Sequence, residues 1–590
     1  MGQFFKFTFA SCLGVFLAFI LMGVIGIAVI ASATAGADKP ASIEPNSVLQ
    51  LSLDAVIPDH TNNAEISSFE LKNTEIQGLH DILEAIRLAK TDRDIKGIYF
   101  DTETLFTGFA NTRAIHQALR DFRESGKFVV AYGRYFDQNS YYLASVADYI
   151  GVHPIGLVDL RGYGAQIPFL KDMLDKLGIR MDVFYAGKFK SATEPFRRNE
   201  MSPENKIQVR EYLNEIYQGM IADISENRRI SPAKLESAIN AYAGAEPHEA
   251  LSQGLIDHVG HADQAQDTIR SLIGLDPDEK IRFVSLKNYY QNRKPDTDYG
   301  VKDKVAVVFA EGSIVDGKGA NGSVGDEKYV DIVDRIRKDK NIKAVVLRVN
   351  SPGGSAMASE NIWRALMRLK DSDKPLVVSM GDYAASGGYY IASPADSIFA
   401  EAGTLTGSIG VFTLFPNVSK LLDEKIGIHF DTVNTGAFSN ALTPFFDLSE
   451  RENRIMQMRT DSIYSLFLQR VAEGRNLTIA AVNEIAQGRV WTGSKAVTLG
   501  LADGLGDLSD ATAAAARMAG LSDYRTVAYP KVLDPLQQLL QDFMQENAAL
   551  SLTHLLRGDL AEWQRQVKYM EEMLQYQGAQ ARLPFVLTRQ

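Results

Sequence analysis

The sequence predicts an α/β protein made of two tandem copies of one domain, preceded by a membrane-spanning helix. Three observations point there. The chain has 590 residues, more than a single hydrophobic core organises. Strand-like apolar runs alternate with helix-like amphipathic stretches, which implies right-handed crossovers and largely parallel sheets. The order of these segments in the first half returns in the second, the mark of an internal duplication.

The N-terminal segment comes first. Lys6 precedes an uncharged run from Phe7 to Ala37, and Leu13 to Ile30 is almost wholly apolar. A membrane helix needs ~20 such residues, whereas the apolar part of a cleaved signal has ~7–15, so a retained anchor is expected over residues 1–37. The small residues Ala31-Ser32-Ala33-Thr34-Ala35 would nevertheless suit a cleavage site. Lys6 before a single span places the N-terminus in the cytoplasm and the rest across the membrane. The only cysteine, Cys12, lies in this run, which excludes an intrachain disulfide and a cysteine-based metal site.

A polar linker, 38–47, leads into the first repeat, expected over 48–290. Val48 to Leu53 alternates like a strand, Ile82 to Ala89 reads as a helix, and Asp94 to Phe100 as a second strand. In the second repeat, expected over 300–525, the counterparts are Val305 to Phe309, Ile332 to Arg337 and Asn341 to Leu347. The correspondence continues. Lys127 to Gly133 matches Lys374 to Gly381, and Tyr141-Tyr142-Leu143-Ala144-Ser145 matches Tyr389-Tyr390-Ile391-Ala392-Ser393. Leu177-Gly178-Ile179 matches Ile426-Gly427-Ile428, and Gly254-Leu255-Ile256-Asp257 matches Gly500-Leu501-Ala502-Asp503. Residues 526–590 form an extension expected to be helical. Asp534-Pro535 reads as a helix start, and Leu560, Trp563, Val567, Met570 and Leu574 share one helical face.

Composition excludes several function classes. The formal net charge is −11 with no block of Lys and Arg, which argues against a nucleic-acid partner. No His-Glu-x-x-His or carboxylate cluster suggests a metal, and no cofactor motif stands out. Gly488-Arg489-Val490-Trp491-Thr492-Gly493-Ser494-Lys495 has phosphate-loop spacing, but its lysine follows the serine, the wrong order.

The two copies differ where chemistry is expected. After its strand the second carries Asn350-Ser351-Pro352-Gly353-Gly354, and the first carries Glu103-Thr104-Leu105-Phe106-Thr107-Gly108. The paired glycines Gly353 and Gly354 expose backbone N–H groups that could hold an oxyanion. The second copy has Gly407-Ser408-Ile409-Gly410 where the first has Arg161-Gly162-Tyr163-Gly164. The first has Gly187-Lys188-Phe189-Lys190-Ser191-Ala192 where the second, at Gly436-Ala437-Phe438-Ser439-Asn440-Ala441, has no lysine. A serine nucleophile needs a base, His153 and His429 stand in no recognisable setting, and a buried lysine can serve. Each half thus holds one candidate group, and a site would need both. If Val183 to Lys190 is a strand, Lys188 and Lys190 project to the same side, and the residues alone do not choose between them. A rival nucleophile is Ser386, in Tyr383-Ala384-Ala385-Ser386-Gly387-Gly388, with helix-start packing as its alternative role.

These motifs, with Thr193-Glu194-Pro195-Phe196 following the lysines and Thr406 preceding Gly407, resemble the long, duplicated form of the bacterial signal peptide peptidase A family, of Clp protease/crotonase-like fold. The resemblance runs from the anchor to about residue 520. It implies Ser408 as nucleophile and Lys190 as general base, with Gly353 and Gly354 where related enzymes place oxyanion donors. It implies cleaved signal peptides and similar apolar peptides as substrates, no cofactor, and a homo-oligomer, a tetramer, facing the periplasm from the bacterial inner membrane. Ser386 occupies the segment where Clp proteases carry their serine. Two other classes remain open: a crotonase-like enzyme acting on acyl thioesters, and a non-catalytic membrane scaffold.

Overall fold

The structure, a computed structural model, describes residue 14 and residues 43–61, 77–294, 300–320, 322–531 and 579–582. The expected anchor, apart from Gly14, and the expected helices beginning at Asp534 and Asp559 lie outside them. Among the described residues no helix is long and apolar enough to cross a membrane.

The first half supplies β1 (Ser47–Leu51), β2 (Ile95–Phe100), β3 (Phe128–Phe136), β4 (Tyr149–Val158), β5 (Arg180–Ala186), β6 (His258–Val259) and β7 (Phe283–Ser285). The second supplies β8 (Lys304–Glu311), β9 (Ser313–Val315), β10 (Ser323–Gly325), β11 (Ile342–Ser351), β12 (Gly353–Ser355), β13 (Leu376–Ala385), β14 (Ser397–Ala400), β15 (Leu405–Gly407), β16 (Val411–Asn417), β17 (Val490–Thr492), β18 (Gly504–Leu505) and β19 (Arg525–Tyr529). A last strand, β20, spans Ala579–Arg582. The helices that matter most for the site are α1 (Phe109–Glu124), α2 (Pro203–Arg228), α3 (Ala356–Lys370), α4 (Gly387–Ala392) and α5 (Glu450–Arg475).

One parallel sheet runs β6-β4-β3-β2-β1-β7. The second half repeats it as β18-β14-β13-β11-β8-β19, also parallel. The long helices α2 and α5 correspond as well. Each has 26 residues, a serine N-cap (Ser202, Ser449) and a left-handed C-cap. One detail agrees with the sequence reading and one departs from it. The strand read at Val48 to Leu53 is β1, which is covered on both faces, with Leu49 and Leu51 in one apolar cluster and Val48 in another. The second repeat runs past residue 525, since β19 pairs with β8 through Tyr529, and residues 579–582 are strand rather than helix.

The third sheet joins the halves, in the order β10-β9-β12-β20-β16-β5. β5 from the first half pairs antiparallel with β16 from the second, from Val411 opposite Ala186 to Asn417 opposite Arg180. A buried polar joint reinforces this seam. Arg348 on β11 pairs with Asp59 at 2.8 Å, the two side chains being 3% and 1% exposed. Arg348 also donates to Asn111 Oδ1 at 3.2 Å and to Ser379 Oγ at 2.9 Å. The N-cap of α1 is Gly108, which has no side chain to cap it. Asp382 from the other half accepts from Gly108 N at 2.8 Å and Asn111 N at 3.0 Å, an N-cap supplied across the seam. Only glycine fits there, because a Cβ at Gly108 would meet Asp382 Cγ at 1.9 Å.

Candidate active site

Lys190 follows β5 by a tight turn. The strand ends at Ala186, Gly187 takes φ +107°, and Lys190 N bonds Gly187 O. Lys188 and Lys190 are therefore not on one face of a strand, as a continuous Val183–Lys190 strand would place them. Lys188 is exposed beside the Phe189 ring, while Lys190 is fully buried.

The seat of Lys190 is assembled from both halves. Gln208 on α2 donates to Phe189 O at 3.2 Å and Ser191 Oγ at 2.8 Å, and accepts from Val490 N in the second half at 3.2 Å. Phe189 N bonds Gln487 O at 2.8 Å. Gly488 sits at φ +75°, and a Cβ there would come within 2.7 Å of Lys190 N. The stretch that mimics a phosphate loop thus forms part of the wall around Lys190. Of the histidines considered in the sequence, His153 lies edge-on to His261 and His429 pairs with exposed Asp423, both away from this lysine.

Two serines meet the lysine amine. Lys190 Nζ lies 2.8 Å from Ser386 Oγ. It lies 3.1 Å from both Ser408 Oγ and the Ser408 carbonyl oxygen. All three side chains are fully buried. Burial alone drives the Lys190 amine well below the ordinary lysine pKa, which favours the neutral form. A neutral amine has two N–H groups and one lone pair. The Ser408 carbonyl can only accept, so it takes one N–H. One hydroxyl then accepts the other N–H and the remaining hydroxyl donates to the lone pair.

The backbone distinguishes the two serines. Ser386 joins the end of β13 to the start of α4 with φ 55° and ψ −114°, a conformation that costs of order 1–3 kcal/mol and clusters at functional sites. A serine on a sharp strand-to-helix turn presents its hydroxyl beside the open N–H groups of the helix's first turn. The local sequence Ala384-Ala385-Ser386-Gly387-Gly388 is a small-x-Ser-x-Gly pattern, the signal in the sequence for this turn. Ser408 follows β15 at φ 48°, its N–H bonded to Arg489 O at 2.7 Å. The Gly410 carbonyl is 3.5 Å from Ser386 Oγ, too long to compete with Lys190 for that hydroxyl.

The paired glycines lie beside this turn. A Cβ at Gly388 would come within 2.6 Å of Ser351 O, so the start of α4 packs directly on the loop before Gly353. Gly353 takes φ +97°, open to glycine alone, and its N–H donates to Ser351 Oγ at 3.2 Å. Gly354 runs so close to β9 that a Cβ would meet Ile314 O at 1.9 Å. In the first half, Gln138 stands where the second has Ser386, and its Oε1 accepts from Arg161 N and Gly162 N at 3.2 and 2.8 Å. That side chain fills the equivalent turn.

The sequence profile of peptidase family S49 matches residues 121–276 and 368–522. Protease 4 of Haemophilus influenzae is 36% identical over 84% of this chain and 82% of its own length. Protease 4 of Salmonella typhi is 37% identical over 86% and 84%. The chloroplastic serine protease SPPA of Arabidopsis thaliana is 30% identical over 93% of this chain and 79% of its own. A solved ClpP1 from Listeria monocytogenes covers 35% of this chain at 14% identity with a TM-score of 0.23, too low to bear on the Clp-like expectation.

Proposed function

From the premise that this chain belongs to peptidase family S49 and is a serine peptidase, we propose that it cuts apolar peptides through an acyl-enzyme, with a Ser–Lys pair drawn from its two halves. The observation that carries the reading is the buried Lys190 amine within hydrogen-bond reach of two serine hydroxyls of the other half.

In this reading Ser386 is the nucleophile. It is the nearer hydroxyl and it occupies the strained strand-to-helix turn. Ser408, through its carbonyl and hydroxyl, holds the lysine so that its lone pair faces Ser386. Lys190 takes the Ser386 proton as Oγ attacks the peptide carbonyl. The oxyanion rests on the N–H of Gly387 at the start of α4 and on that of Gly354, or of Gly353 once it gives up its bond to Ser351 Oγ. The lysine then protonates the leaving amine and later activates water. The expectation of Ser408 as nucleophile stands as a second reading, favoured by its 3.1 Å approach to the same amine and its positive φ. A fluorophosphonate probe followed by peptide mass spectrometry tests the whole. Label on a serine supports the peptidase chemistry, and absence of label would return the acyl-thioester reading.

Substrate, location and assembly belong to the same proposal. Cleaved signal peptides are the proposed substrates. The apolar run Leu13 to Ile30 supports an anchor in the bacterial inner membrane with the catalytic part on the periplasmic side. A homo-oligomer is supported by exposed apolar side chains after β16, among them Ile426, Phe430, Phe445 and Val433, which is 98% exposed.

A further inference from the structure

β20 is an unusual member of the third sheet. It is four residues long, is far from its neighbours in sequence, and is paired on both edges. Gly353, Gly354 and Ser355 of β12 lie opposite Arg582, Ala581 and Gln580, antiparallel. Phe412 and Thr413 of β16 lie opposite Gln580 and Ala579, also antiparallel. β12 and β16 have no direct pairing with each other. The space between them is one strand wide, roughly twice the ~4.8 Å interstrand spacing. It accepts one extended chain, which gains main-chain hydrogen bonds from both walls.

The walls of this slot are the proposed catalytic machinery. β12 carries the paired glycines. β16 begins three residues after Ser408 and pairs with β5, which leads to Lys190. β20 also packs against α4, whose first residue follows Ser386. Ala579 sits against Ala186, Ala356 and Val411, and Gln580 is 7% exposed. The guanidinium of Arg582 bonds Ser313 Oγ on β9. In this arrangement Lys190, Ser386 and Ser408 are all 0% exposed.

We propose that Ala579–Arg582 is a built-in pseudo-substrate, holding the slot that an extended peptide substrate must enter and shutting the enzyme until it is displaced. The proposal rests on the peptidase reading above. Because the strand is tethered to the chain, it meets the slot without a bimolecular step, so even a weakly held segment competes with a dilute substrate. Competition of this kind raises the apparent KM for an external peptide and leaves kcat unchanged.

The test is Gln580→Pro in the full chain. Proline removes the Gln580 N–H and cannot sit in the middle of a doubly paired strand. The expected result is a fall in KM of roughly tenfold for an external apolar peptide with kcat preserved. A synthetic peptide of residues 577–584, added to the variant, should raise KM again in competitive fashion. A variant with unchanged KM, or with kcat lost and KM not lowered, would show that the strand braces the fold, and the proposal is overturned. A peptide that fails to compete overturns it as well. If the parent chain and the variant neither hydrolyse peptide nor take a fluorophosphonate, the peptidase reading falls and takes this one with it. Active enzyme indifferent to both manipulations removes the pseudo-substrate alone.

Discussion

The Lys190 amine stands 2.8 Å from the Ser386 hydroxyl although 196 residues separate them, because β5 of the first half is hydrogen-bonded to β16 of the second. One chain therefore assembles the pair without a neighbouring subunit. Each half alone holds an incomplete set: the first has the lysine and Gln138 at the serine turn, and the second has both serines and no lysine at Gly436–Ala441.

The two serines should separate in a labelling experiment. Ser386→Ala is expected to abolish fluorophosphonate labelling and cut peptide hydrolysis by three or more orders of magnitude, as removal of a nucleophile does. Ser408→Ala is expected to keep the label on Ser386 and lose a smaller factor, about 10–10³, through a misplaced lysine. The reverse pattern would assign the nucleophile to Ser408.

Lys190 should act only when neutral. Its amine is held well below the ordinary lysine value by burial, so kcat/KM should rise with pH along an acid limb and level off before pH 10.5, the ordinary value. Lys190→Arg keeps the charge but cannot give up its proton, and is expected to be inactive at every pH in that range. Lys188→Ala, at an exposed site, should follow the parent profile.

The Arg348–Asp59 pair should matter for folding. Removing one member leaves the other buried and uncompensated, so Arg348→Ala is expected to cost about 3–5 kcal/mol in urea denaturation. The double variant Arg348→Met with Asp59→Leu should recover part of that loss, since neither charge is then stranded. A loss from Arg348→Ala under 1 kcal/mol would mean that the seam does not depend on the pair.

Stability should respond to pH through Asp382 and Glu401. Burial pushes them up to about 6 and about 7. Between the ordinary carboxylate range near ~4 and these values the folded chain binds more protons than the unfolded one, so their contribution is present at low pH and lost as pH rises through that window. Asp382→Asn removes one of the two groups. Its stability relative to the parent should therefore improve as the pH is raised from about 4 to 7. A difference flat across that range would count against a shifted Asp382.

Gly488→Ala should harm both activity and fold. The glycine is at φ +75°, and a methyl group there would press on Lys190 N, which lies 2.7 Å from the Cβ position. The same clash with Lys190 backbone at a positive φ also strains the fold, so the variant is expected to lose about 10²-fold in kcat together with a lower melting temperature, measured by parallel kinetics and thermal denaturation.

Much of this protein is readable from residue order alone. The duplication is legible because each copy must bury the same sheet, so Tyr141 and Tyr389 recur at the same place and donate to equivalent carbonyls, Leu255 O and Leu501 O. The lysine loop, the paired glycines and both serines are legible because tight turns and close backbone contacts restrict which residue types fit. Three things were settled by tertiary structure. Which lysine is buried depends on where β5 ends. Which serine sits on the strained turn depends on a backbone conformation that φ and ψ record and residue identity does not. That Ala579–Arg582 forms a strand between β12 and β16 could not be read locally, because four small and polar residues carry no period, and their pairing comes from two edges contributed by distant parts of the chain.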